Sequence, residues 1–423
     1  MFDFALSEAG KKAKYDAREY VQTIDKQYIL DMDNNVTKWP TEFLIGAAKR
    51  NLLGTQCKPE NGGRGLNWVD YQAVMEEIGG LGYIFCCTFG VGAGLVPYAL
   101  EHHATQLLQD KYIKPVLKGE KFAAECLTEP RGGSDFFGTS MTAEDKGDHF
   151  LLNGDKRFIV GGEGADFFFV YAKTNFDPKA DPHDCITAFM VERDFGGVET
   201  AYIYDLMGCN GGGAARVSFK DVKVPKENIV GELNGAYDVF NTMMVPERLG
   251  TAMMTIGTAA AALDVATRYT MKRKQFGQII SRYQGVSFQI AEAVMLLDVA
   301  RATCNMTARI CDQAEKEGAK ALNFVRRQIS QTKKFTTEVC QKVAKLSMQV
   351  MGGIGYTKIY PVERYVREMG LASIWTGTSE VMSMIIASEW YKETKLRLKD
   401  RAGERDWEFD ANDIDGEQEK VYE

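Results

Sequence analysis

Four short segments carry the side chains that could do chemistry. In Ala124-Glu-Cys-Leu-Thr-Glu-Pro-Arg-Gly-Gly-Ser-Asp135, the hydroxyls of Thr128 and Ser134 flank glycines that let backbone N–H groups approach a ligand closely. A turn closed by local Ser and Thr hydrogen bonds is the other reading. Pro246-Glu247-Arg248-Leu249 offers a carboxylate able to abstract a proton, or merely one that pairs with Arg248 or a solvent lysine. Arg273, in Arg273-Lys-Gln-Phe-Gly277, has a forked guanidinium suited to a pyrophosphate, unless its basic run only ends a helix. Trp375-Thr-Gly-Thr-Ser-Glu380 adds hydroxyls and a carboxylate near the C-terminus.

What the chain lacks narrows the chemistry. The nine cysteines are scattered with no C-x-x-C pair, so neither a metal site nor a disulfide framework is expected, and the thiols should be reduced and buried. Gly62-Gly-Arg-Gly65 and Gly90-Val-Gly-Ala-Gly94 do not sit between a strand and a helix of a βαβ unit, so no Rossmann site is expected. A net charge of −7 disfavours nucleic acid or an acidic membrane as partner, since these need a clustered basic field. The N-terminus shows no apolar run behind a basic start, and no stretch of about 18 uninterrupted apolar residues occurs, so no membrane span and a cytoplasmic location are expected. Residues 400–423 carry ten Asp and Glu against three Lys and Arg, the pattern of a solvated extension.

These segments must be positioned by three kinds of element. Helical spacing broken by Gly and Pro predicts a helical domain over residues 1–125. Short β-rich runs follow, HFLLNGDKRFIV, DFFFVYAK, CITAFMVE and VSFKDVKV, with an Asn153-Gly154 hairpin signal, and predict a small antiparallel β domain over 126–231. Helical periodicity returns over 232–395, with Ile290, Val294, Leu297 and Cys304 on one stripe, and predicts a four-helix bundle; an acidic extension occupies 396–423. The fold class is therefore α+β, in the order helical, β, helical.

In that order the motifs resemble those of the acyl-CoA dehydrogenase family. Thr128-Glu-Pro-Arg-Gly-Gly-Ser-Asp135 matches its T-E-P-x-x-G-S-D signature. Phe219-Lys-Asp-Val-Lys-Val-Pro-Lys-Glu-Asn-Ile-Val-Gly231, then Arg273-Lys-Gln-Phe-Gly277 with Gln284, then Gln349-Val-Met-Gly-Gly-Ile-Gly-Tyr356 and Trp375-Thr-Gly-Thr-Ser-Glu380 follow. The resemblance implies FAD, an acyl-CoA substrate, an electron-transfer flavoprotein as acceptor and a homotetramer. By the same resemblance Cys126, Leu127, Thr128, Gly133 and Ser134, with Phe158, Ile159 and Val160, meet the flavin. Arg273, Phe276 and Gln284 would meet the FAD of a neighbouring subunit, with Gln349, Gly352 and Gly353 at its adenine end and Thr378 and Glu380 completing the cofactor site. Ser134, Arg248, Thr376 and Gly377 are the implied substrate contacts.

Many family members carry the catalytic Glu immediately before Gly-Thr in the last motif, where this chain has Thr376. A subgroup with isovaleryl-type and long-chain-type enzymes supplies it from an earlier helix, directly before an Arg. Glu247 is thus expected to be the base, with Thr376 N–H and an FAD ribityl hydroxyl on the thioester carbonyl. That arrangement implies a branched or cyclic acyl group, with Cys86, Cys87, Phe89 and Leu95 to Tyr98 lining its pocket and His102 and His103 structural. Three departures stand out: Val160 where the family usually has Thr, Asn210-Gly-Gly-Gly-Ala214 after Met207-Gly, and Glu125 where an apolar or aromatic residue is commoner, expected here in a plain surface or loop role. A same-fold oxidase or monooxygenase, and a homologue that binds CoA and flavin without a base, stay open as alternatives.

Overall fold

A computed structural model describes residues 3–317 and 322–399; most of the acidic extension lies outside them. The N-terminal part is helical: α1 (Glu8–Gln22), α2 (Lys26–Asp33), α3 (Thr41–Ala48), α4 (Trp68–Gly79), α5 (Tyr83–Gly90), α6 (Val96–His103) and α7 (Gln106–Leu117). Ser7 caps α1 by accepting from Gly10 N–H at 3.0 Å, and Ala13, Ala17 and Tyr20 form its buried stripe. The glycine cluster that could have suggested a dinucleotide loop is instead a π-helical turn, Val91–Leu95, joining α5 to α6. Such turns concentrate at functional sites. A Cβ on Gly92 would lie 2.8 Å from the Ala123 carbonyl oxygen, so glycine is what lets this turn press against the first strand.

That strand opens the sheet: β1 (Ala123–Cys126), β2 (Thr142–Asp145), β3 (His149–Ile159), β4 (Phe167–Lys173), β5 (Ile186–Glu192), β6 (Val198–Ile203), β7 (Ala215–Pro225) and β8 (Ile229–Val230). Their spatial order is β6-β7-β3-β2-β4-β5-β8, with β1 also on β4. Most neighbours are antiparallel, while β1 and one residue pair of β2 run parallel to β4. The Asn153-Gly154 hairpin is corrected: β3 continues through it as a bulge against β7, and the turn lies at Gly147 (φ 98°). Gly154 is needed because a Cβ there would meet Met141 at 2.8 Å.

Strand alternation divides the core in two. Phe168, Val170 and Ala172 of β4 pack inside the β domain, whereas Phe167, Phe169 and Tyr171 face the helical core. The C-terminal bundle comprises α8 (Ala236–Thr270), the hairpin β9 (Lys274–Gln275) with β10 (Gln278–Ile279), then α9 (Gln284–Glu317), α10 (Leu322–Met351), the short α11 (Val362–Met369) and α12 (Ser379–Lys399). The buried stripe of α9 runs through Ala293, Leu297, Ala300 and Cys304; Val294, expected on it, is 43% exposed, because Ala293 and not its neighbour falls on the packed face. Although no uninterrupted apolar run reaches span length, Tyr83–His103 and Ala236–Thr270 are long and apolar enough in mean hydropathy to cross a membrane. Their most apolar windows are 83% and 78% buried within the protein, as core helices are.

Candidate active site

Four elements bring Glu247 into a cleft. Along α8, Pro246, Glu247, Thr251 and Met254 present one flank; the π-helical turn and the end of α5 bring Gly90, Val91, Gly94 and Leu95; α4 brings Tyr71, and the segment before α12 brings Trp375 and Thr376. Gly94 keeps the wall open, since a Cβ there would stand 3.4 Å from the Tyr71 hydroxyl. Of the residues expected to line the acyl pocket, Leu95 stands at this cleft, whereas Cys86, Cys87 and Phe89 belong to the helical core and of α5 only Gly90, at its end, reaches the cleft.

The segment over Glu247 is tightly held. Trp375 Nε1 donates to the Tyr83 hydroxyl at 2.7 Å, and Thr376 Oγ1 donates to Thr251 Oγ1 at 3.1 Å, one helical turn from Glu247. Thr376 is left-handed at φ 55°, strained for a β-branched residue in the way functional sites store, and Gly377 follows at φ 87°, which glycine adopts freely. Among the described residues no acceptor meets the Thr376 N–H. Lys333 of α10, which the sequence reading missed, is fully buried and donates to the Gly377 carbonyl at 2.7 Å. Its signal was a lysine inside an otherwise apolar helix stripe, which composition alone does not tell from a solvated one.

Glu247 makes no ion pair with Arg248 or Lys333 among the described residues, and its Oε2 is inaccessible and unpartnered. Burial pushes its carboxyl up to about 7, against the opposing pull of Arg248 and Lys333. Arg248 lies beneath Gly377, its Nε 3.8 Å from where a Cβ would stand, and burial lowers its own pKa to about 10. Glu125 is not a surface residue. Ala124 and Cys126 point into the β core while Ala123 packs on the helical side, so Glu125 faces α8, with an inaccessible, unpartnered Oε1.

The signature loop is anchored from below. Lys156 and Glu129 form a buried ion pair at 2.8 Å, and Lys156 also donates to the Leu127 carbonyl at 3.1 Å. Burial works against the Glu129 carboxylate, but Lys156 and donors from Ser140 outweigh it and hold its pKa below the usual range. Thr128 accepts from Arg157 N–H at 2.8 Å, which sets the loop beside Phe158, a half-exposed ring at φ 57° that packs 4.6 Å from Tyr204. Ser134 and Gly133 are exposed, whereas the Cys126 and Ile159 side chains sit in the β core, leaving only their backbone to meet a ligand.

The remaining predicted residues gather elsewhere. Arg273, Gln349, Gly352 and Gly353, with Arg268 and Lys272, line a groove of about 1030 Å³ built wholly from the C-terminal bundle. A Cβ on Gly352 or Gly353 would meet nothing within 4 Å. Three cations beside an open glycine surface fit the pyrophosphate and adenine of FAD. Phe276, 94% exposed, tips the β9–β10 hairpin, and Gln284 opens α9. Thr378 accepts from Val381 N–H at the start of α12, where Glu380 is exposed.

Comparison with known proteins agrees with this arrangement. Residues 7–120, 124–222 and 234–390 match in turn the N-terminal, middle and C-terminal domains of acyl-CoA dehydrogenases. The chain is 33% identical over 391 residues to the caffeyl-CoA reductase-Etf complex subunit CarC of Acetobacterium woodii, spanning 92% of this chain and 100% of that one. It is 32% identical over 379 residues to the 3-(aryl)acrylate reductase of Clostridium sporogenes, spanning 89% and 97%. Its structure is similar to glutaryl-coenzyme A dehydrogenase in complex with glutaryl-CoA, with a TM-score of 0.84, 29% identity and coverage of 92% and 96%. The three successive domain matches place the chain among flavoprotein oxidoreductases acting on CH–CH donors. The chain belongs to the acyl-CoA dehydrogenase family, and its cofactor is FAD.

Proposed function

We propose that this chain interconverts an acyl-CoA thioester and its α,β-unsaturated counterpart, with Glu247 exchanging the proton at the α carbon. The observation that carries the reading is the Glu247 carboxyl, half-buried with one inaccessible oxygen short of partners, at the cleft that Thr376 also lines. A carboxylate whose pKa burial has lifted to about 7 is basic enough to take an α proton and can still return it near neutrality. The Thr376 N–H would hold the thioester carbonyl, a contact that strengthens as negative charge builds on that oxygen in a dry site. FAD, when bound, takes up the hydride released at the β carbon. Thr128, Ser134 and Phe158 would hold its ring end, and Arg273 with Gln349, Gly352 and Gly353 its adenosine end. These two sets line separate surfaces, so we infer a homotetramer in which one subunit's groove completes its neighbour's site. The exposed Phe276, Phe288, Met295 and Met306 supply the apolar area such contacts need.

A branched, cyclic or aryl acyl group is supported by the two named relatives, which are reductases, one of caffeyl-CoA and one of 3-arylacrylates; the cleft at Glu247, about 20 Å³ as it stands, must widen to admit one. The relative named for an Etf complex supports an electron-transfer flavoprotein as the redox partner. The test is anaerobic bleaching of the flavin by a panel of saturated thioesters. Cyclic or aryl-bearing ones should react about tenfold or more faster than butyryl-CoA; preference for short straight chains refutes the assignment.

The pH dependence follows from the same carboxyl. Dehydrogenation needs Glu247 ionised, so its rate should rise with pH and level off above about 7. Enoyl reduction needs the proton present, so it should fall through that same range. Initial rates in both directions across pH 5 to 9 check this, and parallel limbs would contradict it.

A further inference from the structure

Glu125 lies on the face of β1 turned to the helical core, linked to the Glu247 stretch of α8 through Tyr171 and Met243. Register places Glu125 opposite Phe169 on the neighbouring strand, and Tyr171, two residues on, shares that face. The Tyr171 hydroxyl donates to Met243 Sδ at 2.9 Å, and Met243 lies one helical turn before Glu247 on the same side of α8. Behind β1 packs the π-helical turn, where Gly92 touches Ala123. Each carboxyl keeps one inaccessible oxygen with no protein partner, Oε1 of Glu125 and Oε2 of Glu247. Two full charges on carboxyls that each keep an oxygen out of solvent repel one another, which favours one of them staying neutral.

We propose that Glu125 is the second acid of the reacting centre: it retains a proton beside Glu247, so that the two carboxyls together carry one negative charge. This deepens the reading of Glu247 as the base and rests on it. The neighbours decide which partner is ionised. Glu247 has Arg248 and Lys333 beside it, whereas the cation nearest Glu125, Lys156, is already spent on Glu129. Tyr171 stays neutral, its hydroxyl pushed well up by burial and by both carboxylates. Burial first, and then the Glu247 charge, hold Glu125 well above the usual carboxyl range. Glu125 is thus a positioning residue: its proton fixes the charge on the Glu247 carboxylate, and the pair titrates as a unit.

Infrared titration of the FAD-loaded protein tests this directly, because a protonated carboxyl absorbs apart from carboxylates. Wild type should lose protonated-carboxyl absorbance in two steps, the first near pH 7 from Glu247 and the second higher. Glu125→Gln should lack the second step. In Glu247→Gln the surviving step should move down by about one pH unit or more as the neighbouring charge disappears. A Glu125→Gln titration identical to wild type, or a step unmoved in Glu247→Gln, overturns the proposal. Thioester turnover measured alongside separates the two claims: both steps with no turnover keeps the acid pair and rejects only the proposed reaction.

Discussion

Glu247→Gln should lose roughly three to four orders of magnitude in both reaction directions, the upper part of what one positioned acid–base group contributes. The amide keeps the volume and hydrogen-bonding atoms of the carboxyl but cannot take a proton, so the loss should appear in the rate of flavin bleaching more than in thioester binding. FAD should be retained, because the groove with Arg273, Gln349 and Gly353 is built from other parts of the bundle. Thermal stability should not fall either. Burial raises the folded-state pKa of Glu247 to about 7, so the ionised carboxylate opposes folding above its unfolded value, and a neutral amide removes that opposition at pH 8. Activity lost together with FAD and stability would mean that Glu247 is structural.

Lys156→Met should give the largest stability effect. Lys156 and Glu129 have side-chain exposures of 0% and 4% at 2.8 Å, and removing one partner of so buried a pair costs about 3–5 kcal/mol because the other charge is left uncompensated. Glu129 also accepts from Ser140 N–H at 2.7 Å and Met141 N–H at 3.1 Å, so the whole turn between Thr128 and Met141 should loosen. The thermal midpoint should drop and the flavin should dissociate more readily. Replacing both, Lys156→Met with Glu129→Gln, should recover much of the stability, since no charge is then stranded and the Ser140 and Met141 N–H groups keep an acceptor; a double variant no better than the single one would contradict this assignment.

Much of the architecture could be read from periodicity. The change from 3.6-residue spacing to short β-rich runs and back marked the helix, sheet and helix parts, and five ordered motifs marked the family. The misreadings have a common cause: local sequence does not say which face a neighbour covers. Asn153-Gly154 has the composition of a turn, yet Met141 packs against Gly154 and the strand runs on as a bulge. Gly90 to Gly94 look like a loop but form a helical turn whose glycines admit β1 and keep the cleft wall open. Glu125 reads as a loop carboxylate until strand alternation and the β1–β4 register turn it toward α8. Lys333 meets Gly377 only because α10 folds back beside the segment preceding α12. That Glu247 and Thr376 line one cleft was foreshadowed because the helix of Glu247, its following Arg248 and the Thr376 substitution could be weighed together in sequence.

Isotope placement at the α carbon tests the central claim most directly. Enoyl thioester mixed in D2O with protein whose FAD has first been reduced by dithionite should gain one deuterium at the α carbon, delivered from Glu247, and Glu247→Gln should give no labelled product above background. Wild-type product without α deuterium, or equal labelling by Glu247→Gln, would contradict Glu247 as the proton-exchanging group.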